Sequence, residues 1–179
     1  MSSEPFRGDL PFRPRKPMSR FFTHRMDVPK RLYRAQYAFP AHLVEGIDIE
    51  AEDATSMPEE DDVFVQAVER AAHNTFNREG PFLLAVASQE NAETLALTFE
   101  HSEIVTFDTA TISTDNMIKI SMVANHYDIK LDRDADQKET QQDGWLILHR
   151  IPQQAIVSRI DRAGIVRSER IYQSVEPLD

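Results

Sequence analysis

The chain has 179 residues, a length that suits one well-buried domain and argues against two full ones. Its 41% hydrophobic and 28% charged residues are ordinary for a globular protein, and no apolar run approaches the roughly 20 residues of a membrane span. Because cysteine is absent, a disulfide framework, a thiolate zinc site and a thiol nucleophile are excluded. We therefore expect a soluble protein with a single core.

The formal net charge of −10 is unevenly distributed. Residues 1–34 hold nine of the 20 basic residues but three of the 30 acidic ones, so the remainder of the chain is strongly acidic. Such a body repels a phosphate backbone, and we expect no nucleic-acid partner. The arginines and prolines of residues 1–26 predict a basic arm before one domain at 27–179. The arm lacks the apolar core of a cleaved signal peptide, and we expect action in a cytosol.

The first half of the chain is predicted to alternate short strands and helices. The segment 31–37 predicts a strand with Arg34 and Tyr33 on opposite faces. A proline at one end and a glycine at the other predict a short helix over 40–46. A capping box with a proline just inside it begins a longer helix, predicted over 57–76.

The second half continues in the same style. A continuous apolar run predicts a strand over 82–87, followed by Ser88, which can cap the next helix. A further strand is predicted over 103–112. The segment 117–127 fits a helix, although its apolar spacing suits a strand almost as well. After a highly charged loop, a strand is predicted over 145–151.

Two segments far apart in the chain carry a resemblance to a known family. Arg31–Ala35, read as RLYRA, resembles the opening strand of the ADP-ribosylating toxins of the cholera and pertussis type. His149–Ile160, with an Ile-Pro corner, resembles the strand corner near the end of the same catalytic domain. The resemblance implies an α+β, ADP-ribosyltransferase-like fold at 27–179, with two small packed sheets, short flanking helices and a cleft for NAD.

The same resemblance implies roles for individual residues. An arginine on the first strand of such enzymes holds the phosphates of NAD, and Arg34, with Tyr33 beside it, occupies that cofactor-binding position. A Ser-Thr-Ser run that braces the arginine is reduced here to Val-Ala-Ser, which leaves Ser88. A glutamate before the late strand stabilises the ribosyl cation. The catalytic candidates here are Asp143, one methylene shorter, and Glu139, four residues farther out.

The function implied is that of an NAD-dependent mono-ADP-ribosyltransferase-like toxin or effector, with NAD as its substrate and a target-cell protein as its partner. The lost hydroxyls and the missing glutamate leave open an altered or inactive module that acts by protein–protein interaction. A chance match on an unrelated α+β domain is the third interpretation. The family assignment depends on one expectation, that the strand of Arg34 and the strand after the charged loop lie side by side.

Other chemistries have weaker support in the sequence. The six histidines are spread over the chain without a His-x-x-x-His pair, so we expect no metal site. Five glycines and the lack of a Gly-x-Gly-x-x-Gly motif argue against the common phosphate-binding loops. No Gly-x-Ser-x-Gly motif indicates a hydrolase nucleophile.

Overall fold

The structure is a computed structural model, and it describes residues 17–21, 23–38, 46–73, 78–130 and 143–173. Within these ranges strands and helices alternate. The strands are β1 Arg31–Tyr37, β2 Ile49–Glu50, β3 Phe82–Val86, β4 Ser102–Asp108, β5 Met117–Lys119, β6 Gly144–Leu148, β7 Arg150–Ile151 and β8 Ile156–Asp161. The α-helices are α1 Asp61–His73, α2 Gln89–Leu97, α3 Ile120–Tyr127 and α4 Arg162–Gln173. The chain is therefore of mixed α and β type, as predicted.

A six-stranded antiparallel sheet forms the centre, in the order β5-β6-β3-β1-β4-β8. Strand β1 pairs with β4 along its whole length, from Arg31 opposite Asp108 to Tyr37 opposite Ser102. With β3 it shares a single pair, Tyr33 opposite Val86. Backbone groups on the β1-facing edge of β3 are thus available to side chains instead of a neighbouring strand.

Two topological expectations were wrong. The strand of Arg34 and the strand after the charged loop, β1 and β6, share the sheet but do not lie side by side, because β3 stands between them and pairs with β6 from Phe82 to Val86. Instead of two small sheets, the six-stranded sheet packs against a two-stranded ribbon, in which Ile49 of β2 lies opposite Ile151 of β7.

The four helices pack on one face of the sheet. Helices α1 and α3 cover the half near β3, β5 and β6, where Phe64 and Phe82 meet edge to face with ring centroids 6.0 Å apart. Helices α2 and α4 cover the half near β1 and β4, where Ala92 and Ile165 are buried. Burial on both faces explains why β3 is apolar at every position, since neither side meets water.

The ribbon covers the opposite face. Its Ile49 and Ile151 pack on a buried cluster that includes Leu32 and Trp145. Because side chains alternate along a strand, Arg34 and Gln36 share this ribbon side of β1 with Leu32. Two polar residues therefore enter the layer between sheet and ribbon.

Several element boundaries differ from those predicted. Helix α1 begins at Asp61, because residues 57–60 belong to the preceding loop. The segment 117–127 is a short strand and then a helix, which explains its mixed spacing. The predicted strand over 145–151 breaks at His149, whose φ of 67° is left-handed. The helix predicted over 40–46 lies almost wholly outside the described residues.

The basic arm contributes to the core where the structure describes it. Met18 and Phe21 are buried, and the Phe21 ring stacks on Phe64 with centroids 5.8 Å apart. Between them Arg20 forms an ion pair of 3.0 Å with Asp61 at the start of α1. The predicted boundary between the arm, residues 1–26, and the domain, residues 27–179, stays a prediction. Met18 and Phe21 belong to the arm by that boundary, although they are buried in the core.

The outer strands of the sheet are short or irregular. Strand β5 has three residues. Strand β8 pairs with β4, but the register shifts between Thr106 and Phe107, which is a β-bulge or similar irregularity.

Candidate functional site

Arg34, the predicted NAD-phosphate residue, is fully buried in the middle of β1. Its Nε donates to Oε1 of Gln36 at 3.0 Å, and its Nη1 donates to the carbonyl of Leu84 on β3 at 2.8 Å. The Leu84 bond lies where β1 and β3 no longer pair, so the guanidinium joins the two strands. Nη2 has no hydrogen-bond partner among the described residues.

A buried polar chain continues from Arg34 across three strands. Nε2 of Gln36 donates to Oε1 of Glu103 at 2.8 Å, and Nη1 of Arg159 donates to the same oxygen at 2.7 Å. The sheet register explains this contact, because Gln36 lies opposite Glu103 on β4, and Arg159 on β8 lies opposite the residue two positions along. The Glu103 carboxylate thus contacts Arg159 directly and is linked to Arg34 through the side-chain amide of Gln36.

The partners of Arg34 differ from those that the sequence suggested. The alternative to a ligand-binding role, equally compatible with the sequence, is a structural arginine paired with an acid from the loop 48–53, whereas the described hydrogen bonds are to Gln36 and a backbone carbonyl. Glu103 and Arg159 were not anticipated. The contact with Gln36 could have been predicted from the sequence, because Gln36 is polar and lies two residues after Arg34 on the same strand face. The other two could be found only from the register of β4 and β8.

The electrostatic setting of Arg34 is unfavourable for its charge. Burial, and then the positive charge of Arg78, lowers the pKa of the Arg34 guanidinium to about 9. The group remains protonated at neutral pH, and a buried charge needs partners inside the protein. The carbonyl of Leu84 and the amide oxygen of Gln36 supply them.

Ser88 and Asp143 lie together at the end of β3. The backbone N–H of Ser88 donates to Oδ2 of Asp143 at 2.6 Å, and Nδ2 of Asn91 donates to the same oxygen at 3.4 Å. Oγ of Ser88 accepts from the N–H of Asn91 at 3.2 Å, which confirms the predicted cap of α2. Both side chains therefore occupy the N-terminus of that helix, where a carboxylate is electrostatically favourable.

Arg34 is separate from that pair. Its guanidinium donates to the carbonyl of Leu84 on β3. Ser88 comes four residues after Leu84, which corresponds to about 13 Å along an extended chain. Tyr33 projects from the opposite face of β1 and packs with Ala35 and Val86 on the helix side. The structure thus brings Ser88 and Asp143 together and places two further predicted site residues, Arg34 and Tyr33, on different faces of one strand.

Two further predictions concern the same region. Of the two catalytic candidates, Glu139 lies outside the described residues, and Asp143 makes the contacts of the helix cap. Among the residues that the structure describes, no group of three or more His, Asp or Glu side chains is placed to hold a metal ion. A separate prediction concerned membrane spans: none of the helices in the described ranges is long and apolar enough to cross a bilayer.

Comparison with known proteins shows structural similarity without a match in sequence. No family model and no curated protein matches the chain. Among solved structures, EcPltA, which has a toxin-related ADP-ribosyltransferase-like fold, is similar to it. The similarity covers 74% of this chain and 75% of that one, at 11% sequence identity and a TM-score of 0.48. The roles of individual residues here follow from the contacts described above.

Proposed function

We propose that this protein is a binding module that acts by protein–protein contact and does not turn over NAD. The observation that supports this most directly is the complete burial of Arg34, with two donor nitrogens held by Gln36 and Leu84. A phosphate clamp needs its fork directed at the ligand. Here one arm of the fork donates to β3 and so joins that strand to β1.

The second predicted catalytic feature supports the same function. Oδ2 of Asp143 already accepts from Ser88 and Asn91, so that side of the carboxylate is occupied by the helix cap. Stabilising a ribosyl cation requires a carboxylate placed against the sugar in a preorganised position. The residues present therefore do not fit NAD as a substrate.

A second candidate function is the mono-ADP-ribosylation of a target-cell protein by a toxin or effector. One observation favours it: Nη2 of Arg34 is buried without a partner in the described part of the chain. An orphaned donor on a group that is positively charged at neutral pH is an expected place for an anion to bind. This version requires β1 and β3 to open further, because the guanidinium is shielded from solvent in the present arrangement.

The two candidates are separated by incubating the full-length protein with NAD in a target-cell lysate. We expect no nicotinamide release above the buffer rate, no labelled protein and no heat of NAD binding in a calorimetric titration. Asp143→Asn is the matched control, because it retains an oxygen for the cap and removes the negative charge. Nicotinamide release that disappears in Asp143→Asn would reject the binding module and establish the enzyme, and NAD binding in the micromolar range would count against the module.

A further inference from the structure

We infer that the boundary between β1 and β3 is a hinge at which two halves of the central sheet part, and that Arg34 is the latch that holds them closed. One half is β5-β6-β3, and the other is β1-β4-β8. Strand β1 pairs with β4, and β3 with β6, along a whole strand, whereas β1 and β3 share the single pair of Tyr33 opposite Val86. The boundary has fewer backbone pairs than any other in this sheet. The hinge is a property of the sheet and goes beyond the proposed function.

The fixed end of the hinge lies at the pair of Tyr33 and Val86. On the helix side of the sheet, Val86 packs in one cluster with Ala35 of β1 and Ala92 of α2. Helix α2 therefore contacts both halves beside the paired residues. Because backbone pairing and helix packing act together there, the two strands stay joined at this end.

The free end of the hinge lies where β1 ends and β3 begins, at Tyr37 and Phe82, since the two strands are antiparallel. Phe82 meets Phe64 of α1 edge to face, with ring centroids 6.0 Å apart. Tyr37 instead meets Phe99, which follows α2, with centroids 5.5 Å apart. The two strand ends thus pack with different helices and can separate without breaking either ring contact.

The ribbon limits how far the halves can part. On its side of the sheet, Leu32 of β1 and Leu83 of β3 pack in one cluster with Ile151 of β7. A wide separation would expose these buried side chains to water, which is unfavourable. The hinge therefore opens locally, at its free end, and the ribbon keeps the halves together.

The latch belongs to the β1 half and reaches across to β3. Gln36 accepts from Nε of Arg34 at 3.0 Å and donates to Glu103 at 2.8 Å, so the guanidinium is fixed to β1 and β4. Its Nη1 donates to the carbonyl of Leu84 on β3 at 2.8 Å, at a level where the backbones no longer pair. A charge-assisted hydrogen bond thus spans the boundary between the fixed end and the free end.

The charge that closes the hinge also favours its opening. Nη2 of Arg34 is buried and has no hydrogen-bond partner among the described residues. Burial, and then the positive charge of Arg78, lowers the pKa of the guanidinium to about 9. Opening hydrates the group and relieves both costs. The closed and open states are therefore closer in free energy than those of a fully paired sheet.

Amide hydrogen exchange of the full-length protein, resolved by NMR, tests the hinge. The N–H of Leu84 is the reporter, because it lies on the same strand edge as the carbonyl that Arg34 holds. Arg34→Lys keeps the charge but loses the planar fork of the latch. We expect it to speed exchange at Leu84 about tenfold more than exchange of the amides between β4 and β8. Equal effects on the two sets, large or small, would show that Arg34 is no latch and would overturn the hinge.

Val105→Ala is the matched control. Val105 is buried, lies opposite Arg34 on β4 and packs on the ribbon side, so its truncation loosens the same layer without removing the latch. It should speed exchange at Leu84 and between β4 and β8 by factors that agree within about threefold. A preference for Leu84 as large as that of Arg34→Lys would mean that any loosening of this layer opens the boundary, and would overturn Arg34 as its latch.

A distance measurement tests the hinge with Arg34 in place. Because the chain has no cysteine, pairs of exposed residues can be replaced by cysteine and spin-labelled. His101, before β4, and Asn116, before β5, lie in different halves, whereas His101 and Val157 of β8 lie in one half. Double electron–electron resonance should give a broader distance distribution for the first pair than for the second. Arg34→Lys should lengthen the first distance and leave the second unchanged. Equal widths for both pairs, or a first distance that Arg34→Lys does not change, would overturn the hinge.

Discussion

Two polar regions that the sequence joins into one site behave differently in the structure. In the first region Arg34, Gln36 and Glu103 are buried, and their chain of hydrogen bonds ends at Arg159, whose side chain is partly exposed. The pair of Ser88 and Asp143 lies at the end of β3, partly exposed, and caps a helix. The first region has to satisfy its charges inside the protein, whereas the second can exchange its contacts with water.

This difference indicates what each region contributes. An enclosed charge that loses its partner cannot recover hydration, so removing one member of the chain costs the full desolvation of the groups left behind. A helix cap loses a hydrogen bond that water partly replaces. The enclosed chain should therefore dominate stability, and the exposed cap should have a small effect.

The strongest test of this contrast is Arg34→Ala. It leaves the Leu84 carbonyl and the Gln36 amide oxygen without their donor and opens a cavity, so we expect the free energy of unfolding to fall by about 3–5 kcal/mol. Urea denaturation followed by circular dichroism measures the change. Arg34→Lys keeps the charge but loses the planar fork, and we expect an intermediate loss of about 1–3 kcal/mol. A loss below about 1 kcal/mol for Arg34→Ala would mean that the guanidinium is not needed to join β1 to β3.

A smaller effect is expected at the exposed cap. Asp143→Ala removes the acceptor for the Ser88 N–H and a negative charge from the start of α2, which should lower the free energy of unfolding by about 1 kcal/mol. Asp143→Asn retains an acceptor oxygen and should recover part of that loss. Should Asp143→Ala destabilise the protein as much as Arg34→Ala, the contrast between the regions would fail. The same denaturation series provides both values.

The smallest effect concerns a third polar contact, between the arm and α1. The hydrogen bond from Arg20 lowers the pKa of Asp61. Because the folded pKa lies below the unfolded one, the contact contributes stability above the unfolded value of about 3.9, and that contribution is lost as the pH falls through the folded pKa. Asp61→Asn should therefore be less stable than the natural chain at neutral pH, and the difference should shrink in acid. A difference that is constant from neutral to acidic pH would contradict this ion pair.

The sequence predicted the local elements better than their arrangement. The strand of Arg34, the strand before Ser88 and the cap of α2 follow from apolar runs and capping chemistry, which act over a few residues. The placement of β3 between β1 and β6 depends on which strands bury each other's faces. That choice is made by packing over the whole sheet, which one sequence does not display.

The candidate site shows the same limit. The strand face of Arg34 could be predicted, because residues two apart on a strand, such as Leu32 and Arg34, point to the same side. Its partnership with Glu103 through Gln36 was not readable, since it requires the register between β1 and β4. An arginine on a strand suits a ligand clamp and an internal brace equally well in sequence. Their difference lies in whether the guanidinium meets solvent.

The outer strands of the sheet have a consequence for how the protein behaves when concentrated. An exposed strand edge presents free amide and carbonyl groups on which a neighbouring molecule can add a strand. Here one border strand, β5, is only three residues long, and the other, β8, pairs with β4 in a register that shifts. Neither offers the long, flat template from which amyloid-like stacking grows. The sheet therefore resists growth from chain to chain at both of its borders.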